Sequence, residues 1–106
     1  MKRSIELTPK QKRLMGQFGE RLKLARLRRR LSGELVAERA GVSRATLVKI
    51  ESGEPNVAMG SYFQVMRVLG LEVDFDRLAV DDVMGRKLQD LELVTKKRAP
   101  KRKTRT

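Results

Sequence analysis

The chain has 106 residues and a formal net charge of +12, and it contains neither cysteine nor histidine. A chain of this length is about the size of one domain. The two missing residue types exclude disulfides, thiolate chemistry and imidazole-dependent catalysis. The excess of positive charge favours a polyanionic partner, with nucleic acid ahead of an anionic membrane surface.

We expect neither an enzyme nor a protein that holds a cofactor or a metal ion. The clustered carboxylates are Asp74 with Asp76 and Asp81 with Asp82, and both pairs suit the starts of helices, where the helix dipole favours negative charge. No apolar run approaches the roughly 18 residues of a membrane-spanning helix. Charged residues also interrupt the start of the chain where a secretory signal would be apolar, so we expect a cytoplasmic protein without membrane contact.

Charge is distributed unevenly along the chain. Residues 1–54 carry a net +8, residues 55–94 carry −3 and residues 95–106 carry +7. The last segment has Ala99 as its only aliphatic residue, which leaves too little apolar surface to offset the entropy of ordering. We therefore expect different surfaces to meet different partners, with a disordered basic tail that adds non-specific affinity for DNA phosphates.

The first predicted helix begins at Pro9, with Thr8 in the capping position, and extends to about Arg30. Two short helices follow, and Ser32 and Ser43 are placed to cap them. Gly41 lies between them, where the chain needs a left-handed residue. The predicted inward-facing residues are Leu14, Phe18, Leu22 and Ala25 in the first helix, Val36, Ala37 and Ala40 in the second, and Leu47 and Ile50 in the third.

A fourth helix follows the turn-forming segment 52–56 and ends at Gly70. Its predicted core residues are Met59, Tyr62, Phe63, Met66 and Leu69. Residues 71–76 fit the spacing of a helix and the alternation of a strand, and we favour a short helix. Asp81 or Asp82 then begins a last helix that extends to about Leu93 and carries the apolar stripe Val83, Met84, Leu88 and Leu91.

The segment from Gly33 to Ser52 resembles the helix-turn-helix of phage repressors and Cro proteins, often called the XRE family. The matching features are a small residue at Ala37, the turn at Gly41, an apolar residue inside the turn at Val42, and anchors at Leu47 and Ile50. The resemblance covers about residues 16–80. It implies an all-α fold, a lambda-repressor-like bundle of about five helices, to which a C-terminal helix and the basic tail are added.

The expected domain organisation follows from this resemblance. Residues 1–8 form an N-terminal arm, 9–80 the helix-turn-helix DNA-binding domain, 81–94 the C-terminal helix and 95–106 the disordered tail. The third helix would be the recognition helix, which lies in the major groove of double-stranded DNA. The resemblance, together with the exposed face of that helix, assigns base contacts to Arg44, Ala45, Val48 and Lys49, and contacts with the DNA backbone to Ser32, Ser43, Thr46, Ser52 and Asn56.

The sequence departs from the family at two positions. Relatives usually have glutamine where Gly33 stands and a basic residue near Glu54, and both departures predict weaker clamping of phosphates. Arg26 and Glu51 match positions where relatives form a largely buried ion pair. We therefore expect these two residues to stabilise the fold rather than to contact DNA.

The resemblance also predicts partners. Repressors of this kind bind two half-sites as homodimers, and the last helix is the candidate interface. The stretches Val36–Thr46 and Gly85–Leu91 before a basic end resemble antitoxins of the HipB type, which implies a HipA-like kinase toxin as a partner of the acidic second half. The alternatives are a stand-alone XRE-type regulator, a protein-interaction adaptor and an RNA-binding protein.

Overall fold

The computed structural model describes residues 4–96, with side chains as far as Leu93. Within that range the chain is all-helical and contains no strand. The helices are α1 (Pro9–Arg28), α2 (Gly33–Ala40), α3 (Arg44–Glu51), α4 (Met59–Val68), a short 3₁₀ helix (Glu72–Arg77) and α5 (Val83–Lys96). They fall into two compact units divided after Val73. The predicted fold, about five helices and a C-terminal helix, is confirmed.

The three predicted capping residues are confirmed by their hydrogen bonds. Ser32 Oγ accepts from the amide of Leu35, and Ser43 Oγ accepts from the amide of Thr46, both at 3.0 Å. Thr8 Oγ1 accepts from the amide of Gln11, whose side chain accepts in return from the amide of Thr8. This reciprocal capping box satisfies two amides that a helix start otherwise leaves without partners.

The core of the first unit is mostly aliphatic and is made by one face of each of four helices. Its buried apolar residues are Leu22, Ala25, Val36, Ala37, Ala40, Leu47, Ile50, Tyr62, Val65, Met66 and Leu69. Every inward-facing residue predicted for α2 and α3 is among them. Their periodicity therefore determines which faces of α2 and α3 turn to solvent.

Three core predictions are wrong and one is partly wrong. Leu14 and Met59 are 50% and 68% exposed, Phe63 is 36% exposed, and Phe18 is half-buried against Tyr62. Leu14 lies in the part of α1 that precedes its buried face. In α4 the residues 62, 65, 66 and 69 share one face by the 100° step, so Phe63 falls to the side and Val65, which the spacing argument missed, turns inward.

Element boundaries differ from the predictions by a few residues. Helix α1 ends at Arg28 instead of about Arg30, because Arg30 adopts a left-handed conformation with φ 55°. The helical interpretation of residues 71–76 is confirmed, although the helix is 3₁₀. Helix α5 extends to Lys96, beyond the predicted end at about Leu93, and Asp82 caps its start. Residues 1–3 of the predicted arm and 97–106 of the predicted tail lie outside the described residues.

The backbone of α1 lies directly against the turn that ends α3. A Cβ atom added at Gly19 would lie 2.6 Å from both the amide nitrogen of Gly53 and the carbonyl oxygen of Ile50. Real Cβ atoms do not approach backbone atoms this closely, and backbone cannot move aside as a flexible side chain can. The absence of a side chain at Gly19 therefore allows α1 and α3 to meet.

Gly19→Ala should lower the free energy of unfolding by about 1–3 kcal/mol, the usual cost of overpacking a close contact. Gly16→Ala is the matched control, because a Cβ there meets nothing within 4 Å and alanine favours the helix by up to about 1 kcal/mol. Thermal or urea denaturation of both variants checks the prediction. Equal stability changes in the two variants would contradict it.

Arg26 connects three parts of the first unit through one guanidinium. Its Nε and Nη2 donate to the two carboxylate oxygens of Glu51 at 2.7 and 3.1 Å, and its Nη1 donates to the carbonyl of Leu31 at 3.0 Å. The two side chains are only 12% and 10% exposed. The hydrogen bonds to Glu51 raise the pKa of Arg26 above its ordinary value. Burial has the opposite effect on this pKa, but it is smaller. The predicted structural ion pair is confirmed.

Glu51→Ala should lower the free energy of unfolding by about 3–5 kcal/mol, because it leaves the guanidinium of Arg26 largely buried without a counter-charge. Glu20→Ala is the matched control, since Glu20 lies exposed on α1 and makes no ion pair among the described residues. A surface change of this kind is expected to stay within about 0.5 kcal/mol. Chemical denaturation measures both, and a small effect of Glu51→Ala would show that the pair does not hold the fold.

Candidate nucleic-acid interface

Helices α2 and α3 pack against each other across a short turn. Gly41 ends α2 with φ 74°, and the amide of Val42 donates to the carbonyl of Ala37 at 3.0 Å. Val42 is half-buried in the turn, less than the full burial that the sequence predicts. Leu47 and Ile50 are completely buried. Because these two anchors fix the rotation of α3 about its axis, its opposite face must turn to solvent.

The exposed face of α3 consists of the four residues that the sequence assigns to base contacts. Arg44, Ala45, Val48 and Lys49 are all exposed. Val48 is 55% exposed and leaves an apolar spot between the two cations. The face therefore combines donors for base edges or phosphates with small apolar groups.

The Arg44 side chain connects the starts of α2 and α3. The guanidinium of Arg44, at the start of α3, packs over Gly33, at the start of α2, so that a Cβ added at Gly33 would be 2.7 Å from Cζ of Arg44. The serine caps engage the third amide of each helix. Among the described residues, the amides of Gly33, Glu34, Arg44 and Ala45 have no acceptor, and of these four residues Gly33 is buried under Arg44 while Glu34, Arg44 and Ala45 are exposed. Amides at helix starts are suited to binding phosphate oxygens.

The hydroxyl groups predicted to contact phosphates differ in whether their proton is already used in a hydrogen bond within the protein. Ser43 Oγ donates to Oγ1 of Thr46 at 2.9 Å, and Ser52 Oγ donates to the carbonyl of Lys49 at 2.9 Å. Within the described part of the chain, the hydroxyl groups of Ser32 and Thr46 accept hydrogen bonds and donate none. Of the four hydroxyls, those of Ser32 and Thr46 therefore keep a proton for a phosphate oxygen.

Ser52 and Asn56 lie beyond the C-terminal end of α3, away from the two helix starts. Asn56 Oδ1 accepts from the amide of Ile5 at 2.9 Å, and its Nδ2 donates to Glu54 at 3.0 Å. The Asn56 amide thus attaches the N-terminal segment to the turn after α3. Its predicted contact with DNA has to coexist with this structural role.

A match to a known domain family covers this part of the chain. A family model described as a helix-turn-helix domain matches residues 17–78, which is more than half of the chain. The chain belongs to the helix-turn-helix domain family. No curated protein matches it significantly. The matched range includes α2, α3 and all nine predicted DNA-contact residues, and membership of this family indicates a DNA-binding regulator of the XRE-like type. In residues 4–96, no helix is long and apolar enough to cross a membrane.

The contact between Gly33 and Arg44 is the part of the helix-turn-helix surface that sequence reasoning missed. The sequence shows glycine where the family usually has glutamine. This departure predicts the loss of a phosphate contact, but it does not predict what fills the space of the missing side chain. In the structure the vacated space is occupied by the guanidinium of Arg44. The available signal was the combination of a glycine and an arginine at the starts of two consecutive helices.

The turn after α3 in the helix-turn-helix domain is held by Tyr62. Its hydroxyl donates to the carbonyl of Glu54 at 2.6 Å, and its ring stacks on Phe18 with centroids 5.4 Å apart. Burial, with a smaller contribution from the charge of Glu54, raises the pKa of Tyr62 to about 12. The folded state therefore binds the phenolic proton more tightly than the unfolded state does.

Tyr62 is the only tyrosine in the chain, so tyrosinate absorbance reports it alone. We expect its titration midpoint near 12 in the folded protein and near the ordinary value of about 10 in denaturant. The stability that depends on the raised pKa is present below pH of about 10 and is lost as the pH rises towards 12. A midpoint near 10 in the folded protein would contradict the buried hydrogen bond to Glu54.

Proposed function

We propose that the chain is a transcriptional repressor that binds a specific sequence of double-stranded DNA, with α3 in the major groove. The observation that carries the proposal is the exposed face of α3, where two cations flank small apolar residues opposite a completely buried face. Helix-turn-helix proteins place this kind of helix against base edges. A-form RNA has a major groove too narrow for such a helix, which favours DNA over the RNA-binding alternative.

Each residue of the exposed face has a chemical role in the proposal. The guanidinium of Arg44 donates two hydrogen bonds to O6 and N7 of guanine, and Lys49 donates to a base or a phosphate. Ala45 and Val48 contact methyl groups of thymine. The hydroxyls of Ser32 and Thr46 and the exposed amides of Glu34, Arg44 and Ala45 bind phosphates, which positions the helix without reading sequence.

Arg44→Ala should lower discrimination at one or two base pairs by about 1–3 kcal/mol, with a smaller effect on binding to non-cognate duplex. Selection from a random-sequence duplex library measures this without knowledge of the operator. Arg67→Ala is the control, because Arg67 lies on α4 and its guanidinium is bound to Gln64 and the carbonyl of Arg39. If Arg67→Ala abolished selection while Arg44→Ala did not, the DNA would lie on another surface.

We further propose that the protein binds DNA as a homodimer through α5. The support is the exposed stripe of Val83, Met84, Leu88 and Leu91 along that helix. Two recognition helices one helical turn of DNA apart would also supply affinity that one small helix rarely reaches. Sedimentation at micromolar concentration should show a dimer, with or without duplex DNA. A species of only 12.1 kDa under both conditions would contradict the proposal.

The finer proposal is that the repressor is the antitoxin of a HipBA-like module, with a HipA-like kinase toxin bound to its acidic second half. It is supported by the sequence resemblance and by the exposed carboxylates of Asp74, Asp76, Asp81 and Asp82. Co-purification with the product of the adjacent gene tests it. If no complex forms, a stand-alone XRE-type regulator is the better description.

A further inference from the structure

Gly33 is buried although it is the first residue of a short helix at the protein surface. The group that covers it is the end of the Arg44 side chain. A Cβ added at Gly33 would lie 2.7 Å from Cζ, 2.9 Å from Nη2 and 3.0 Å from Nε of Arg44. The guanidinium therefore occupies the space that any side chain at position 33 would need.

We propose that Gly33 is a positioning residue that determines the specificity of DNA recognition. By having no side chain, it lets the guanidinium of Arg44 lie against the start of α2, and this contact sets the direction in which Arg44 presents its donors. The inference rests on the proposed function, in which Arg44 reads a base. In this inference Gly33 contacts no base, but it determines the orientation of Arg44, which does.

The guanidinium of Arg44 packs against Gly33. Among the described residues, Arg44 forms no ion pair and no side-chain hydrogen bond. Its donors are therefore left for DNA, while its long side chain is held by contact alone. A guanidinium binds guanine through two parallel hydrogen bonds, and this geometry benefits from an orientation fixed before binding.

Position 33 does not require glycine for backbone reasons. Gly33 lies in the first turn of α2 and does not have the left-handed φ that is found at Gly41, Gly53 and Gly70. Alanine is also the stronger helix former. Because the atoms that a Cβ would meet belong to the flexible end of a side chain, Arg44 would move and the helices would stay in place. A variant at this position therefore separates recognition from folding.

The test compares the full chain with Gly33→Ala, Arg44→Ala and the double variant, each used to select from a random-sequence duplex library. Gly33→Ala should lower the preference at the base pair read by Arg44 by about 2- to 12-fold, the effect of losing the order of one long side chain. Arg44→Ala should lower it by about 5- to 150-fold. The double variant should match Arg44→Ala, because Gly33 acts through Arg44.

Thermal denaturation accompanies the selection. Gly33→Ala should melt at or above the temperature of the unmodified protein. Gly60→Ala is the matched control, since a Cβ there meets nothing within 4 Å, and it should leave the preference unchanged. Unchanged preference in Gly33→Ala, or a further loss when it is added to Arg44→Ala, would overturn the positioning role. If Arg44→Ala alone leaves the preference intact, the proposed function of Arg44 fails, and the inference fails with it.

Discussion

The orientation of α3 depends on how its C-terminal end is attached to α1. The guanidinium of Arg26 binds both carboxylate oxygens of Glu51 and the carbonyl of Leu31, and the backbone of α1 meets the following turn at Gly19. Because this end is fixed and the inner face is buried, α3 has no freedom to rotate about its axis. The exposure of its outer face therefore follows from interactions between residues that do not lie on that face.

The N-terminal end of α3 differs from its anchored C-terminal end, because its donors remain available for a ligand. At the starts of α2 and α3, several donors are unused among the described residues: the exposed amides of Glu34, Arg44 and Ala45, the hydroxyl protons of Ser32 and Thr46, and the guanidinium of Arg44. Leaving donors exposed has a small cost at a surface because water satisfies them. Phosphate oxygens and base edges can replace that water, which is why an anchored end and an unsatisfied end on one short helix suit DNA recognition.

Local signals in the sequence predict most of the fold, because a serine cap acts over three residues and a buried face repeats every 100°. The bounds of α2 and α3, their buried anchors and their exposed residues all follow from such signals. The exposure of Leu14 and Met59 does not, since it depends on where the neighbouring helices begin and end. The contact of Gly33 with Arg44 and the protons already used by Ser43 and Ser52 depend on three-dimensional geometry across turns.

We propose that DNA contacts the protein at the starts of α2 and α3. The most direct measurement is an amide NMR titration of the protein with duplex DNA at several salt concentrations. We expect the largest shifts at Glu34, Arg44 and Ala45, persisting at salt concentrations that remove non-specific binding. Shifts confined to α4 or α5, with these three amides unchanged, would contradict a contact at the two helix starts.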